Sequence, residues 1–251
     1  MAFFSEIWKD LMEFADKFQK DFYLNFIKDD RWRYIVNGLG VTLKVTLFAV
    51  LIGIVLGFVV AIIRSTHDKA GSMSKFLRGT LNVLNFLCNV YLTVIRGTPV
   101  LVQLLIIYFV IFASVRIDKS FVAIIAFGIN SGAYVAEIVR GGIMSIDQGQ
   151  FEAGRSLGFS FTKTMMLIIL PQTFKNVLPA LGNEFIVLLK ETSVAGYIAL
   201  EDLTKGGDII RSRTYSALFP LLAVAIIYLA IVILLSQLLK LLERRLRSSE
   251  K

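Results

Sequence analysis

The chain has 251 residues, of which 56% are apolar and only 18% are charged, and its mean hydropathy is +0.70. Soluble domains carry about a quarter of charged residues, so this balance predicts an integral membrane protein. The net charge of +8 does not indicate a nucleic-acid partner, because lysine and arginine lie in short polar segments between apolar runs. The single cysteine, Cys88, and single histidine, His67, predict no disulfide, no metal site and no catalytic residue.

Residues 1–34 are predicted to form an amphipathic helix. The apolar residues recur close to every 3.6 positions, at Phe4, Ile7, Leu11, Phe14, Phe18 and Phe22. Acidic residues near the start argue against a cleavable signal peptide, whose first region is basic. We predict an interfacial helix lying on the membrane surface, and packing against a partner subunit is an open alternative.

Five apolar segments within residues 35–245 predict five membrane spans, because about 20 helical residues cross a hydrocarbon core of about 30 Å. The segments are residues 45–63, 77–113, 121–139, 174–189 and 217–239. The second segment is too long for one straight crossing, so a bend is predicted near residues 96–99. The fourth is predicted to be interrupted by Pro179 and Gly182.

Five spans place the two termini on opposite sides of the membrane. Segment 64–78, the loop between the third and fourth spans, and the tail at residues 246–251 then share one side. Lysine and arginine close to the spans are modestly more frequent on that side. This bias predicts a cytoplasmic C-terminus and an N-terminus outside.

The polar stretch FEAGRSLGF, residues 151–159, lies between the third and fourth spans. It predicts a short helix, a turn permitted by Gly158, and a second short helix closed by Pro171. On pattern alone, a plain connecting loop is an equally good interpretation.

Extended to FEAGRSLGFSFTKTMMLIILPQ, this stretch resembles the EAA loop of ATP-binding-cassette importer permeases. Glu152 and Ala153 match the first two positions of the motif, and Gly158 matches its glycine. Gly154 stands where the family has a second alanine, a small-for-small change that is expected to be tolerated.

Three further stretches resemble motifs of the polar amino acid permeases, the histidine, glutamine and arginine type. They are IRGTPVLVQ from Ile95, INSGAYVAEIVRGG from Ile129 and LPALGNEFIVLLKETS from Leu178. With the loop, the resemblance covers roughly residues 35–245. The shortest family members lack the amphipathic N-terminal residues, whose role therefore stays open.

The resemblance implies an all-α integral membrane protein with the fold of type I importer permeases. That fold has five transmembrane helices, cytoplasmic coupling helices at about residues 142–170 and a cytoplasmic tail. It implies a multi-pass protein of the bacterial cytoplasmic membrane, whose loop docks in a cleft of an ATPase subunit. The implied coupling residues are Glu152, Ala153, Gly154, Arg155, Leu157 and Gly158.

The resemblance also implies partners. These are a dimer of ABC ATPase subunits, a second permease copy or a related permease, and an extracytoplasmic amino acid binding protein, besides membrane lipid. The chain has no phosphate-binding loop of the Walker type, so ATP and magnesium are expected on the ATPase and no cofactor is expected here.

Polar residues within the spans are candidates for a substrate site, because charge at that depth is costly and tends to be functional. A zwitterionic amino acid needs an acceptor for its ammonium group and donors for its carboxylate. The candidates are Arg96, Thr98, Ser131, Gly132, Glu191, Thr192 and Ser193.

Several of these roles stay open. Glu191 either accepts the ammonium group or pairs with Lys190, and Arg96 either binds the carboxylate or supports the bend. Ser131 and Gly132 either approach a ligand or allow close helix packing.

Two further acidic residues have open roles. Glu137 is expected to pair with a basic residue, while Glu184 fixes a bend, contacts a second protomer or binds substrate.

The predicted function is ATP-driven import of a polar amino acid by alternating access, with hydrolysis on a separate subunit. An ion-gradient-driven secondary transporter and a channel are the alternatives. Secondary transporters are commonly built from internal repeats, and the sequence shows none.

Overall fold

The computed structural model describes residues 2–69 and 75–248, with side chains described for residues 8–68 and 75–246. All regular structure in these ranges is helical. The helices are α1 (Ala2–Phe22), α2 (Trp32–Lys69), α3 (Lys75–Gly97), α4 (Val100–Ile106), α5 (Lys119–Met144), α6 (Gln148–Ser156), α7 (Phe161–Thr164), α8 (Leu170–Glu191), α9 (Leu203–Thr214) and α10 (Leu218–Ser248). Residues 249–251 of the predicted tail lie outside the described residues.

Within the described residues, four helical stretches are long and apolar enough to cross a membrane. They are Trp32–Asp68, Lys119–Met144, Phe161–Ile198 and Leu218–Leu246. Helix α3 and the stretch Val100–Ile111 form a pair bent by 110°, which supplies a fifth span if the pair crosses as one unit. The predicted all-α membrane fold is confirmed, and the predicted bend lies between Gly97 and Val100.

The bend between α3 and α4 is held by the buried side chain of Gln103. Its Nε2 donates to the carbonyl of Ile95 at 2.7 Å and to the carbonyl and hydroxyl of Thr98 at 3.0 and 2.9 Å. Asn130 of α5 donates to Gln103 Oε1 at 3.0 Å. Carbonyls at the end of a helix need partners inside a membrane, and Gln103 supplies them.

The predicted interruption of the fourth span is wrong, because α8 continues through Pro179 from Leu170 to Glu191. Gly182 faces Leu239 of α10, and a side chain at Gly182 would collide with that leucine. The glycine therefore serves close packing of two helices. Pro171 closes no helix either, since it lies in the first turn of α8, where a missing N–H is tolerated.

Helix α5 forms the centre of the molecule and packs most extensively on α2. Two glycines of α2 permit this close approach. A Cβ on Gly53 would lie 2.8 Å from the Ser131 hydroxyl oxygen, and one on Gly57 would lie 2.5 Å from Val135. The hydroxyl of Ser131 is consequently enclosed, with no exposed surface.

Helix α9 packs against the first turns of α2, at the end far from α6 and α7. The backbone N–H of Leu203 donates to the Thr42 hydroxyl at 3.0 Å. Asp202 precedes α9 as its N-cap and accepts from the backbone N–H groups of Thr204 at 3.3 Å and Lys205 at 3.0 Å. These contacts satisfy the donors at the start of the helix.

Asp202 makes the stability of this corner depend on pH. Burial raises the pKa of Asp202 to about 6, above the value of about 3.9 for an exposed aspartate. Between these values the unfolded carboxyl loses its proton while the buried one keeps it. Stability therefore falls as pH rises through this window, by about 2 to 3 kcal/mol in total.

We expect Asp202→Asn, which keeps a capping oxygen but cannot ionise, to gain thermal stability relative to wild type as pH rises from 4 to 8. Thermal unfolding of the detergent-solubilised protein measures this. Asp208→Asn is the matched control, because hydrogen bonds from Lys205 and Arg211 lower the pKa of Asp208, so the pH-dependent part of its effect lies below about pH 4 and its difference from wild type should stay nearly constant from pH 4 to 8. A difference between Asp202→Asn and wild type that does not change with pH would contradict the prediction.

Candidate functional site

A buried carboxylate lies between α5 and α8. Glu184 is 8% exposed, and its Oε1 accepts a hydrogen bond from Ser131 Oγ at 2.9 Å. Within the described residues, the lysine and arginine ion pairs all involve other carboxylates. An intramembrane carboxylate with a single hydroxyl partner is a cation-binding candidate. Ser131 was predicted as a site residue, whereas substrate binding was one of three roles left open for Glu184.

Glu191 lies two helical turns beyond Glu184, on the same face of α8. It is partly exposed, and within the described part of the chain no hydrogen bond or ion pair holds its carboxylate, including the alternative pair with Lys190. Glu184 and Glu191 together give this face of α8 two acceptors for positively charged groups.

The two hydroxyl residues after Glu191 have different surroundings. Thr192 is buried, donates to the carbonyl of Leu189 at 2.8 Å and lies 3.5 Å from the hydroxyl of Thr46 on α2. Ser193 lines a cavity of about 330 Å³ together with Tyr197 and Lys205. Only the second of these two predicted residues is placed beside open space.

Arg96 belongs to a network of charges that joins α2, α3 and α5. Glu137 Oε1 accepts from Arg64 Nη1 at 2.7 Å and lies 3.6 Å from Arg96 Nη1. The guanidinium of Arg96 also lies 5.9 Å from the centre of the Tyr134 ring. The predicted pairing of Glu137 with a basic residue is confirmed. Two guanidinium groups share one carboxylate, so the network keeps an excess positive charge, and about half of the Arg96 side chain is accessible.

Thr98 is committed to the bend. Its hydroxyl donates to the carbonyl of Val94 at 2.8 Å and accepts from Gln103. Gln103 and Asn130, which hold this bend, were absent from the predicted site. Two features of the sequence could have indicated these residues. One is the glutamine five residues after Thr98, and the other is the asparagine directly before Ser131.

Gly132 is occupied by helix packing. A Cβ there would lie 2.8 Å from the hydroxyl oxygen of Tyr91 and 2.9 Å from Leu56, and the Tyr91 hydroxyl donates to the carbonyl of Ile129 at 2.6 Å. The packing alternative therefore describes Gly132, and the prediction of a ligand against its backbone is corrected.

Helix α6 forms a helical hairpin with α7, which is the first turn of the long helical stretch Phe161–Ile198. Asp147 caps α6 by accepting from Gly149 N–H at 2.6 Å, and buried Phe151 anchors the hairpin in the core. Helix α6 ends in a Schellman motif, with Phe159 N–H donating to the Gly154 carbonyl and Gly158 N–H to the Arg155 carbonyl. The φ angle at residue 158 is +78°, which explains why this residue is a glycine.

The predicted coupling residues divide into exposed and packed positions. Gly154 is buried, and a Cβ there would lie 2.6 Å from Thr164. The expectation that glycine and alanine are interchangeable here is wrong, because a methyl group would push α6 away from α7. The other five are exposed: Glu152, Ala153, Arg155, Leu157 and Gly158. Leu157 is 73% exposed and stands two residues from exposed Phe159, which gives the hairpin tip an apolar contact surface.

The fold and these sites define a polytopic helical transport subunit with a polar hairpin at one end of its spans. Residues 70–248 match the family described as the binding-protein-dependent transport system inner membrane component. The chain belongs to this family and is a multi-pass ABC transporter permease of the inner membrane.

Relatives of known name support the assignment. The chain is 37% identical over 215 residues to the putative glutamine transport system permease protein GlnP of Rickettsia typhi, covering 85% of this chain and 93% of the relative. It is 36% identical over 219 residues to the arginine transport system permease protein ArtQ of Bacillus subtilis, covering 86% and 94%. Both relatives are named as permease proteins, in agreement with the family assignment.

Solved structures agree with the fold. A crystal structure of an amino acid ABC transporter with histidines has a TM-score of 0.73 and 42% identity, covering 85% of this chain and 94% of that one. An inward-facing structure of the MetNI methionine ABC transporter has a TM-score of 0.70 at 19% identity, covering 87% and 99%, and supports the fold alone.

Proposed function

We propose that this chain is the permease subunit of an ATP-driven importer that carries an amino acid across the cytoplasmic membrane. The observation that carries the proposal is the hairpin of α6 and α7. It is anchored by Phe151, shaped by Gly154 and Gly158, and presents exposed Leu157 at its tip. The relatives named for glutamine and arginine transport support an amino acid as the substrate.

The hairpin is the proposed attachment point of a separate ATPase dimer. ATP and magnesium are bound by that dimer, and this chain needs no cofactor of its own. Closure of the dimer pulls on the hairpins of two permease chains, either two copies or two related chains, that face each other around the pathway. The complex has conformations that open to opposite sides of the membrane. Nucleotide binding to the ATPase dimer favours the conformation in which the dimer binds nucleotide more tightly.

The hairpin side is the cytoplasmic side in this proposal. The C-terminus lies on the same side, and the N-terminus lies outside. An extracytoplasmic binding protein delivers the amino acid at the outer end, where α9 packs on the first turns of α2.

The proposed substrate site uses charges on two faces of the pathway. Glu184 and Glu191 accept positively charged groups, and the excess charge of the Arg96 network accepts the carboxylate. The hydroxyls of Thr98, Ser131, Thr192 and Ser193 contribute polar contacts after rearrangement, while Gly132 serves packing. Two carboxylates on one face of α8 favour an amino acid with a cationic side chain in addition to its ammonium group.

Reconstitution in proteoliposomes tests the function. We expect uptake of a labelled amino acid only when this chain, its ATPase dimer, the binding protein and ATP are all present. A mixture with a non-hydrolysable ATP analogue is the control. Uptake driven by a sodium or proton gradient without ATP would instead identify a secondary transporter, and passive flux would identify a channel.

A further inference from the structure

The described side chains of α1 separate into an apolar stripe and a charged face. The stripe consists of Trp8, Leu11, Phe14, Phe18 and Phe22, each between 45% and 67% exposed. At 100° per residue these side chains occupy one side of the helix. The charged residues occupy the other side: Lys9, Asp10, Glu13, Asp16, Lys17, Lys20 and Asp21. An exposed apolar stripe of this size is expected to be in contact with another molecule.

The apolar stripe is continuous with the start of α10. The Phe18 ring lies 5.2 Å from the Phe219 ring in the first turn of α10, and 6.4 Å from the rings of Phe14 and Phe22. Three further residues in that part of α10 are exposed and apolar, namely Leu218, Leu221 and Leu222. Because Leu218–Leu246 is a membrane span, its first turn lies at the edge of the hydrocarbon core.

The corner that follows α1 is rigid. Asn25 is fully buried, donates to the Asp21 carbonyl at 2.8 Å and accepts from the Thr214 hydroxyl at 2.9 Å. Arg31 Nη1 donates to the Leu24 carbonyl at 2.6 Å. The bond from Thr214 joins this corner to the end of α9, and the other two hold the corner itself, so α1 is held at the level at which α10 begins.

We propose that α1 lies in the membrane–water interface, with its apolar stripe covered by lipid acyl chains. The occupant is lipid because the stripe runs without interruption into the lipid-level surface of a span. Among residues 8–22, the charged face carries three lysines against four acidic residues, so burial of apolar surface drives the contact, and attraction to anionic lipid does not. Trp8 has the amphipathic ring that interfaces favour.

The chain contains two tryptophans, Trp8 and Trp32, so Trp32→Phe leaves Trp8 as the sole tryptophan. The test places the full-length Trp32→Phe protein in nanodiscs of zwitterionic phosphatidylcholine with bromine on the upper acyl chain. We expect brominated lipid to reduce Trp8 emission by about half, with weak quenching by aqueous acrylamide and no dependence on salt. The Trp8→Phe protein, in which Trp32 remains, is the matched reference.

Adding Phe14→Asp to the Trp32→Phe protein should free the helix from the lipid. Brominated lipid should then quench Trp8 less, and acrylamide should quench it more. Strong acrylamide quenching without lipid quenching in the Trp32→Phe protein would overturn the proposal by placing α1 in water. Weak quenching by both agents would overturn it by placing a protein partner on the stripe. No nucleotide or amino acid is used, so failure here is separate from failure of the import function.

Discussion

Leu157→Asp is expected to abolish the stimulation of the partner ATPase by this permease. Leu157 is 73% exposed at the tip of the hairpin, where an aspartate leaves the hairpin itself undisturbed. In a docked complex the leucine would be buried, and burial of such a side chain is worth about 1.5 to 3 kcal/mol. A buried charge adds a desolvation penalty, so affinity should fall by about a hundredfold or more.

The measurement is ATP turnover of the reconstituted complex, together with retention of the ATPase on immobilised permease. Leu157→Met is the matched control, because it keeps an apolar side chain of similar volume and should retain both properties. Equal thermal stability of the three proteins would show that the fold is intact. Full ATPase binding and turnover by Leu157→Asp would remove the hairpin from the coupling mechanism.

A substitution that distorts the packing of the hairpin should have different effects from one that removes a contact with the ATPase. Gly154→Val places a branched side chain against Thr164, where even a Cβ would lie 2.6 Å from a methyl carbon. This variant should lower thermal stability as well as coupling, whereas Leu157→Asp lowers coupling alone. The comparison separates the surface that docks from the packing that shapes it.

Glu184→Gln is expected to reduce uptake of the amino acid by about tenfold or more. Glutamine keeps the size of the side chain and an oxygen that accepts from Ser131, so the change removes charge with little change in packing. A carboxylate inside the membrane attracts a cationic group more strongly than an amide does, because the surrounding dielectric is low. The loss should be larger for arginine or lysine than for glutamine if the substrate carries a cationic side chain.

Uptake rates as a function of substrate concentration measure this effect, with ATP turnover recorded in the same vesicles. Glu201→Gln is the matched control, since Glu201 is exposed and lies outside the long apolar helices. Glu191→Gln should show a smaller loss, because its carboxylate is partly exposed and its charge is screened. Unchanged uptake by a stable Glu184→Gln protein would place the ammonium acceptor elsewhere.

The membrane-crossing helices could be predicted from the sequence because a span depends on local properties. The length of an apolar run decides whether it crosses the bilayer, so residues 45–63 and all but the first of residues 217–239 lie inside long helices of the structure. The bend at residues 96–99 was predicted from the excess length of its segment and from Pro99. The hairpin turn was predicted from Gly158, which adopts the positive φ that the pattern required.

The interruption of the fourth span was predicted incorrectly because proline and glycine can either break a helix or be accommodated within one. Pro179 and Gly182 are read locally as a break, yet α8 passes through both of them. Gly182 is explained by Leu239, a residue 57 positions further along the chain. Gly154 was likewise read as a neutral exchange, and its need for glycine comes from the position of Thr164 on α7.

The pairing of polar residues depends on how the helices pack. Ser131 meets Glu184 across 53 positions, Arg64 meets Glu137 across 73, and Thr46 approaches Thr192 across 146. Hydropathy and residue spacing reveal that each residue is polar within an apolar run. They do not reveal which helix lies opposite, because that depends on close contacts such as Gly53 against Ser131. Local pattern thus accounts for the membrane fold and the hairpin, whereas helix packing selects the carboxylates and their partners.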